Sequence, residues 1–137
     1  MTKNMETIFN QAFLNELLAK SEESPRLRMN YDLRTSSADT SQRMLNAIEP
    51  ESVVPVHRHK KTSETMVVLR GSLVEEFYDD AGVCIERIEM SAGSDVCLLN
   101  IPAGTWHTLR SLESGTVILE MKDGAFEPIA AEDVMNL

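Results

Sequence analysis

The chain contains three histidines, and two of them form the triplet His57-Arg58-His59. Side chains two apart on a strand point to the same face, so both imidazoles of this triplet can reach one metal ion. The polar stretch KKTS follows, and Glu64 opens the next apolar run. If that stretch returns the chain antiparallel, Glu64 lands beside the two histidines and adds an anionic oxygen. Six residues later Gly71 turns the chain again. The third histidine, His107, follows Ile101-Pro102-Ala103-Gly104, where proline second and glycine fourth suit a type I turn. A lone His-x-His is commonly a surface pair, and glutamate is frequent in this chain. The specificity lies in every histidine falling into one scheme. Three neutral imidazoles and one carboxylate suit Fe, Mn, Co, Ni or Zn, and suit Mg or Ca poorly. An ion that accepts five or six ligands would keep positions open for water or substrate.

Strands must carry this set. After Ser24-Pro25 the sequence becomes short apolar runs separated by turn residues. The runs predict strands over 26–33, 42–48, 53–59, 64–70, 73–78, 83–90, 96–101, 105–110 and 116–122. Many short strands at regular spacing indicate a sandwich or barrel. Strand parity places Val53, Pro55, His57 and His59 inward, with Val54, Val56 and Arg58 outward. Met66 and Val68 accompany Glu64 inward. Thr105 and Leu109 accompany His107 inward, and Trp106, Thr108 and Arg110 point out, so Trp106 is read as packing on the outer face. The ion would then sit over an apolar floor in a small pocket. Ahead of the strands, residues 6–20 carry the helical stripe Ile8, Phe9, Ala12, Phe13 and Leu17, with Asn4 and Thr7 as candidate caps. This helix packs on the outside of the barrel or against a second subunit. The organisation expected is one domain, a helical segment at 1–24 and a barrel at 25–137, with one or two helical turns in the tail from Ile129 to Leu137.

A chain of 137 residues, 42% hydrophobic, fits one domain with a real core. Its net charge of −9 argues against nucleic-acid or anionic-membrane partners, because phosphate binding runs on basic surface. No apolar run approaches the roughly 20 residues of a membrane helix. Glu6 and Glu16 interrupt the apolar part of the N-terminus, which reads against a signal peptide and for a cytoplasmic location. Cys84 and Cys97 fall in apolar strand patterns and are read as packing residues.

The segment PESVVPVHRHKKTSETMVVLRG resembles the first motif of the cupin superfamily, with HxH, four residues, Glu, six residues and Gly in register. GSDVCLLNIPAGTWHTL resembles the second, with Pro102, Gly104 and His107 in place. Glu51 stands where the first motif usually opens with glycine, Gly93 lies further from the proline than usual, and Ser111 replaces a frequent asparagine. More narrowly, SPRLRMNYDL, QRMLNAIEP, the HRH motif, IPAGTWHTL and TVILEMKDGAFEP make nearly the whole chain similar to the WbuC family of cupin-fold metalloproteins. The resemblance implies an all-β double-stranded β-helix (jelly-roll) barrel with an N-terminal helix, which binds one divalent metal at His57, His59, Glu64 and His107. It also implies a context among bacterial O-antigen sugar genes.

Arg26, Arg28, Asn30, Arg43 and Asn46 fall in segments that resemble the family's own. Arginine offers planar, bidentate donors for carboxylate or phosphate, so these are the candidates to hold an anionic substrate. The competing assignment is ordinary pairing with surface carboxylates, and solvated loop charge is the default for Lys60 and Lys61. Two functions follow. One is a metal-dependent isomerase, lyase or dioxygenase acting on a small polar, sugar-derived or anionic molecule. With all three histidines committed, proton transfer would fall to Glu64, a metal-bound hydroxide or a tyrosine. The other is a non-catalytic module in which the metal fixes a ligand. A structural metal is a third reading. A homodimer is expected through sheet edges and the helical stripe.

Overall fold

The computed structural model describes residues 7–137. Helix α1 spans Gln11–Glu23 and is followed by strands β1 (Arg28–Asp32), β2 (Ser41–Ile48), β3 (Glu64–Arg70), β4 (Ser72–Tyr78), β5 (Cys84–Ser91), β6 (Leu98–Ile101), β7 (Trp106–Ser111) and β8 (Thr116–Asp123). A short 3-10 helix, Ala131–Asp133, is the helical turn in the tail. All pairings are antiparallel, and the strands form two sheets, ordered β1-β2-β8-β3-β6 and β5-β4-β7.

Alternation along each strand explains how the sheets pack. On β2, Asn46 and Ile48 face the interior, while Leu45 and Ala47 face α1. Ile48, Met66, Val68, Leu73, Met90, Leu109 and Ile118 form the core between the sheets. Leu14 and Leu17 of α1 pack with Leu45, Ala47 and Val117 on the back of the five-stranded sheet. Phe9, Phe13 and Tyr31 close that contact edge to face, with ring centroids 4.9 to 5.8 Å apart. The apolar stripe is therefore spent within the chain, apart from Ile8 and Ala12, which are exposed.

The helix begins later than its stripe suggests. Asn10 is the cap, its side chain accepting from the Phe13 N–H at 2.9 Å. Thr7 lies ahead of it, and Asn4 lies outside the described residues. A second difference is the segment 53–59, which forms no strand. It runs extended, with single bridges from His57 to His107 on one side and Val134 on the other. Pro55 has no N–H for a ladder. Parity fails accordingly: Val53 is exposed, Val54 lines the interior and Val56 is buried. Among the described residues no helix is long and apolar enough to cross a membrane.

Gly71 makes the turn between β3 and β4 at φ +75°, and a β-carbon there would meet the Thr116 Cα at 2.7 Å. Neither the conformation nor the backbone neighbour can yield. Gly71→Ala should lower stability by about 2–4 kcal/mol, read as a fall in the urea midpoint. An unchanged midpoint would show that the turn relaxes freely.

Candidate metal centre and ligand cavity

His57 and His107 face each other across an isolated antiparallel bridge. The His57 N–H donates to the His107 carbonyl at 3.0 Å, and the His107 N–H donates to the His57 carbonyl at 2.8 Å. The turn before His107 is displaced by one residue from the type I turn expected. Thr105 N–H bonds the Pro102 carbonyl at 3.3 Å and Gly104, at φ +80°, takes the third position, as in a type II turn. This frees the Gly104 N–H to donate to the His59 carbonyl at 2.7 Å. The two halves of the site are thus joined through backbone.

The ligand atoms of His57, His59 and His107 all lie within 4.8 Å of one another. His57 Nδ1 is 2.8 Å from the Pro55 carbonyl and His107 Nδ1 is 2.9 Å from the Thr105 carbonyl. A carbonyl only accepts, so each Nδ1 carries a proton, which leaves Nε2 as the nitrogen that can bind a metal. Glu64, at the start of β3, brings Oε2 to 3.4 Å from His107 Nε2 and 3.6 Å from His59 Nε2. That oxygen is buried and has no hydrogen-bond partner among the described residues. A buried carboxylate oxygen without a partner is costly. An oxygen so placed beside two imidazole nitrogens, with the third imidazole in the same cluster, fits a divalent ion.

Electrostatics favour the ligand forms. Burial, then the neighbouring His107, lowers the pKa of His57. Burial, then Lys122, lowers that of His59 to about 4. Burial alone would raise Glu64, but His107, Lys122 and His59 together hold it below its ordinary value. Neutral imidazoles and an anionic carboxylate are what a transition metal takes.

His57, Glu64 and His107 open into an interior cavity of about 250 Å3, whose wall also includes Arg26, Arg28, Asn30 and Asn46. Arg28 is half-buried, and its guanidinium donates to the Val53 carbonyl at 2.8 Å and to Ser52 Oγ at 3.3 Å. Neither Arg26 nor Arg28 makes an ion pair among the described residues. Arg43 does not join them. It sits on the opposite face of β2 from Asn46, where it pairs with Asp39 at 3.0 Å and bonds the Ser41 carbonyl. Strand parity separates it from the cavity. His59 opens instead into a second cavity of about 570 Å3, lined by Arg58, Lys60, Lys61 and Lys122. Lys60 is paired there with Glu132 and Asp133. Trp106 packs outside, its indole N–H on Asp80 and the Arg58 guanidinium 4.3 Å above its ring. Cys84 and Cys97 are free and half-buried.

Three residues escaped the sequence analysis: Glu75, Glu120 and Lys122. Glu75 and Glu120 line the interior cavity. Lys122 stands opposite Glu64 across β3 and β8. The signal was parity. Glu75 alternates with Leu73 and Phe77, and Glu120 and Lys122 with Ile118, all counted along strands that were correctly placed.

A model for a domain of unknown function, DUF6016, matches residues 9–90. The chain belongs to the DUF6016 family. No curated protein matches it. Its backbone is similar to KdgF from Halomonas sp., with a TM-score of 0.59 and 14% identity over 75% of this chain and 84% of that one. CapF, a capsular polysaccharide assembling protein from Staphylococcus aureus, gives 0.59 and 22% over 73% of this chain and 27% of its own. The Bacillus subtilis oxalate decarboxylase with Mn(II) centres gives 0.56 and 19% over 80% and 28%. The chain therefore spans less than a third of the last two. These likenesses establish that this DUF6016 member has the cupin jelly-roll fold.

Metal-stripped protein should show an alkaline limb in its stability. His57 and His59, depressed from 6.5, contribute stability that is intact above about 6.5 and lost as pH falls toward about 4. Burial raises Glu75 from 4.5 to about 9 and Glu120 from 4.5 to about 8. Their contribution is intact below about 4.5 and lost as pH rises through 8 to 9. Above about 6.5 only the glutamates act, so the urea midpoint should fall from there to pH 9, and Glu75→Gln should flatten that fall. The same slope in the variant would contradict the assignment.

Proposed function

We propose that this protein is a metal-dependent cupin enzyme acting on a small polar anion, with His57, His59, Glu64 and His107 holding one divalent transition metal ion. The observation that carries the proposal is the partnerless buried oxygen of Glu64 facing three converged imidazoles. When bound, the ion supplies Lewis acidity toward a carbonyl or hydroxyl oxygen, or oxygen chemistry if it is iron. The remaining work belongs to side chains. The Nδ1 bonds fix the His57 and His107 rings. Arg28, locked by the Val53 carbonyl, and Arg26 at the rim hold the anionic end of the ligand, with Asn30 and Asn46 alongside. Glu64 is the proton carrier nearest the ligand, since no histidine is spare. Isomerase, lyase and dioxygenase reactions all fit this arrangement. The similarity to the WbuC family and the fold shared with CapF support a role in bacterial surface-polysaccharide chemistry, including O-antigen, in the cytoplasm. We also propose a homodimer formed through sheet edges, supported by the exposed Val83 and Ile85 at β5 and Leu98 on β6.

Metal analysis should give one ion per chain. His57→Ala and His107→Ala should each weaken binding by at least about a hundredfold, and full retention in both would defeat the assignment. Glu64→Gln should keep the fold and lose metal affinity. At restored occupancy its turnover should stay low, because an amide is no base near neutral pH. Full turnover would reduce Glu64 to a ligand only. Sedimentation at micromolar concentration should report a dimer, and a clean monomer would remove that part of the proposal.

A further inference from the structure

The interior cavity holds polar groups that metal binding does not use. Glu75 projects from the middle of β4, its side chain fully buried, and neither carboxyl oxygen has a hydrogen-bond partner among the described residues. On β2, in the facing sheet, Asn46 is 8% exposed and its Oδ1 is equally unpartnered. Both line the same space as His57, Glu64 and His107, among Ile48, Met66 and Leu109. Either position would be more stable as leucine or methionine, because a buried polar atom without a partner loses its hydration and gains nothing. Two such side chains from different sheets, converging on one cavity, form a surface complementary to something that brings hydrogen bonds with it.

The chemistry of that something can be narrowed. Burial, then the negative Glu64, pushes Glu75 up to about 9. In the protonated form that burial favours, the carboxyl has one O–H to donate and oxygens left to accept. An ammonium group would want an anionic partner. An alcohol hydroxyl both donates and accepts, which suits a neutral carboxyl and an amide oxygen together. Arg26 and Arg28 line the same cavity, and neither makes an ion pair among the described residues. A cavity of about 250 Å3 has the volume of about eight waters in the liquid, which suits an acid of about four to six carbons.

We propose that Glu75 and Asn46 form a hydroxyl-reading end of the ligand cavity, and that the ligand class is a small polyhydroxy carboxylate whose anionic group lies on Arg26 and Arg28. This rests on the reading above for a small anion in the cavity, and it adds which part of the molecule is recognised and by what.

The test compares D-gluconate with hexanoate, six-carbon acids that differ in their hydroxyls, by calorimetry on the metal-loaded full-length chain, with metal content measured on the same samples. Wild type should prefer gluconate by about tenfold or more, because a site built for hydroxyls rejects an analogue that leaves its polar groups unpaired. Glu75→Leu should lower that preference by about tenfold or more, with metal content unchanged and thermal stability equal or higher. Glu75→Gln should keep part of it, since an amide still donates and accepts. Asn46→Leu should shift the ratio in the same direction, and it carries the comparison if Glu75→Leu does not fold. A gluconate-to-hexanoate ratio that is the same in wild type and the leucine variants overturns the proposal, as does a wild type that does not bind gluconate at millimolar concentration. Failure of the metal assignment is separate: a chain that takes no metal yet discriminates the two acids through Glu75 would defeat that assignment and leave this one standing.

Discussion

The reciprocal backbone pair between His57 and His107 is the constraint on which the site depends. Two hydrogen bonds, at 3.0 and 2.8 Å, join segments fifty residues apart in the chain at the very residues whose imidazoles must converge. Nothing in the strand ladders does this, because the 53–59 segment belongs to neither sheet. Its position is held instead by the bridge, by the Gly104 N–H on the His59 carbonyl, and by the tail. There Arg58 N–H bonds the Asp133 carbonyl, the Arg58 guanidinium pairs with Asp133 at 2.9 Å, and Met135 N–H bonds the Val56 carbonyl. The C-terminal segment is in this sense part of the site's scaffold, and Ile129 and Val134 complete the cavity wall.

The second constraint is electrostatic. Three glutamates surround one small cavity, and they cannot all be charged. The structure separates them by environment. Glu64 sits among imidazoles and opposite Lys122, so its anion is favoured. Glu75 has apolar neighbours and negative ones, and burial pushes it up to about 9. Glu120 is raised too, chiefly by burial, then by Glu64, with Lys122 and Arg28 acting against the rise. Carboxyls of one residue type thus divide into one whose anion is favoured and two whose neutral form is favoured, the way active sites commonly set apart identical side chains.

Much of this was legible in the sequence. The strands from β3 to β8 follow from apolar runs bounded by glycine turns, and the histidine scheme from their spacing. What could not be read was backbone irregularity. Pro55 kept the HRH segment out of a ladder, so parity misplaced Val53 and Val54. The glycine at 104 preferred the turn position that needs a positive φ, which displaced the turn by one residue. Arg43 looked equivalent to Arg28 as a residue type, and only parity along β2, which turns Arg43 away from Asn46 and Ile48, separates them. Glu75 was passed over because a glutamate inside LVEEFY reads as the polar half of an alternation. Here both Glu75 and Glu76 are buried, and Glu76 takes Arg87 as its partner at 2.7 Å.

Three imidazoles and the orphaned oxygen of Glu64 are proposed to converge on one ion. A crystal of manganese-loaded protein, measured at a wavelength where manganese scatters anomalously, tests it most directly. The anomalous map should show a single strong peak inside the barrel, about 2.0–2.3 Å from the Nε2 atoms of His57, His59 and His107 and from the Glu64 carboxylate. A peak confined to surface carboxylates, with none among these four side chains, would contradict the account.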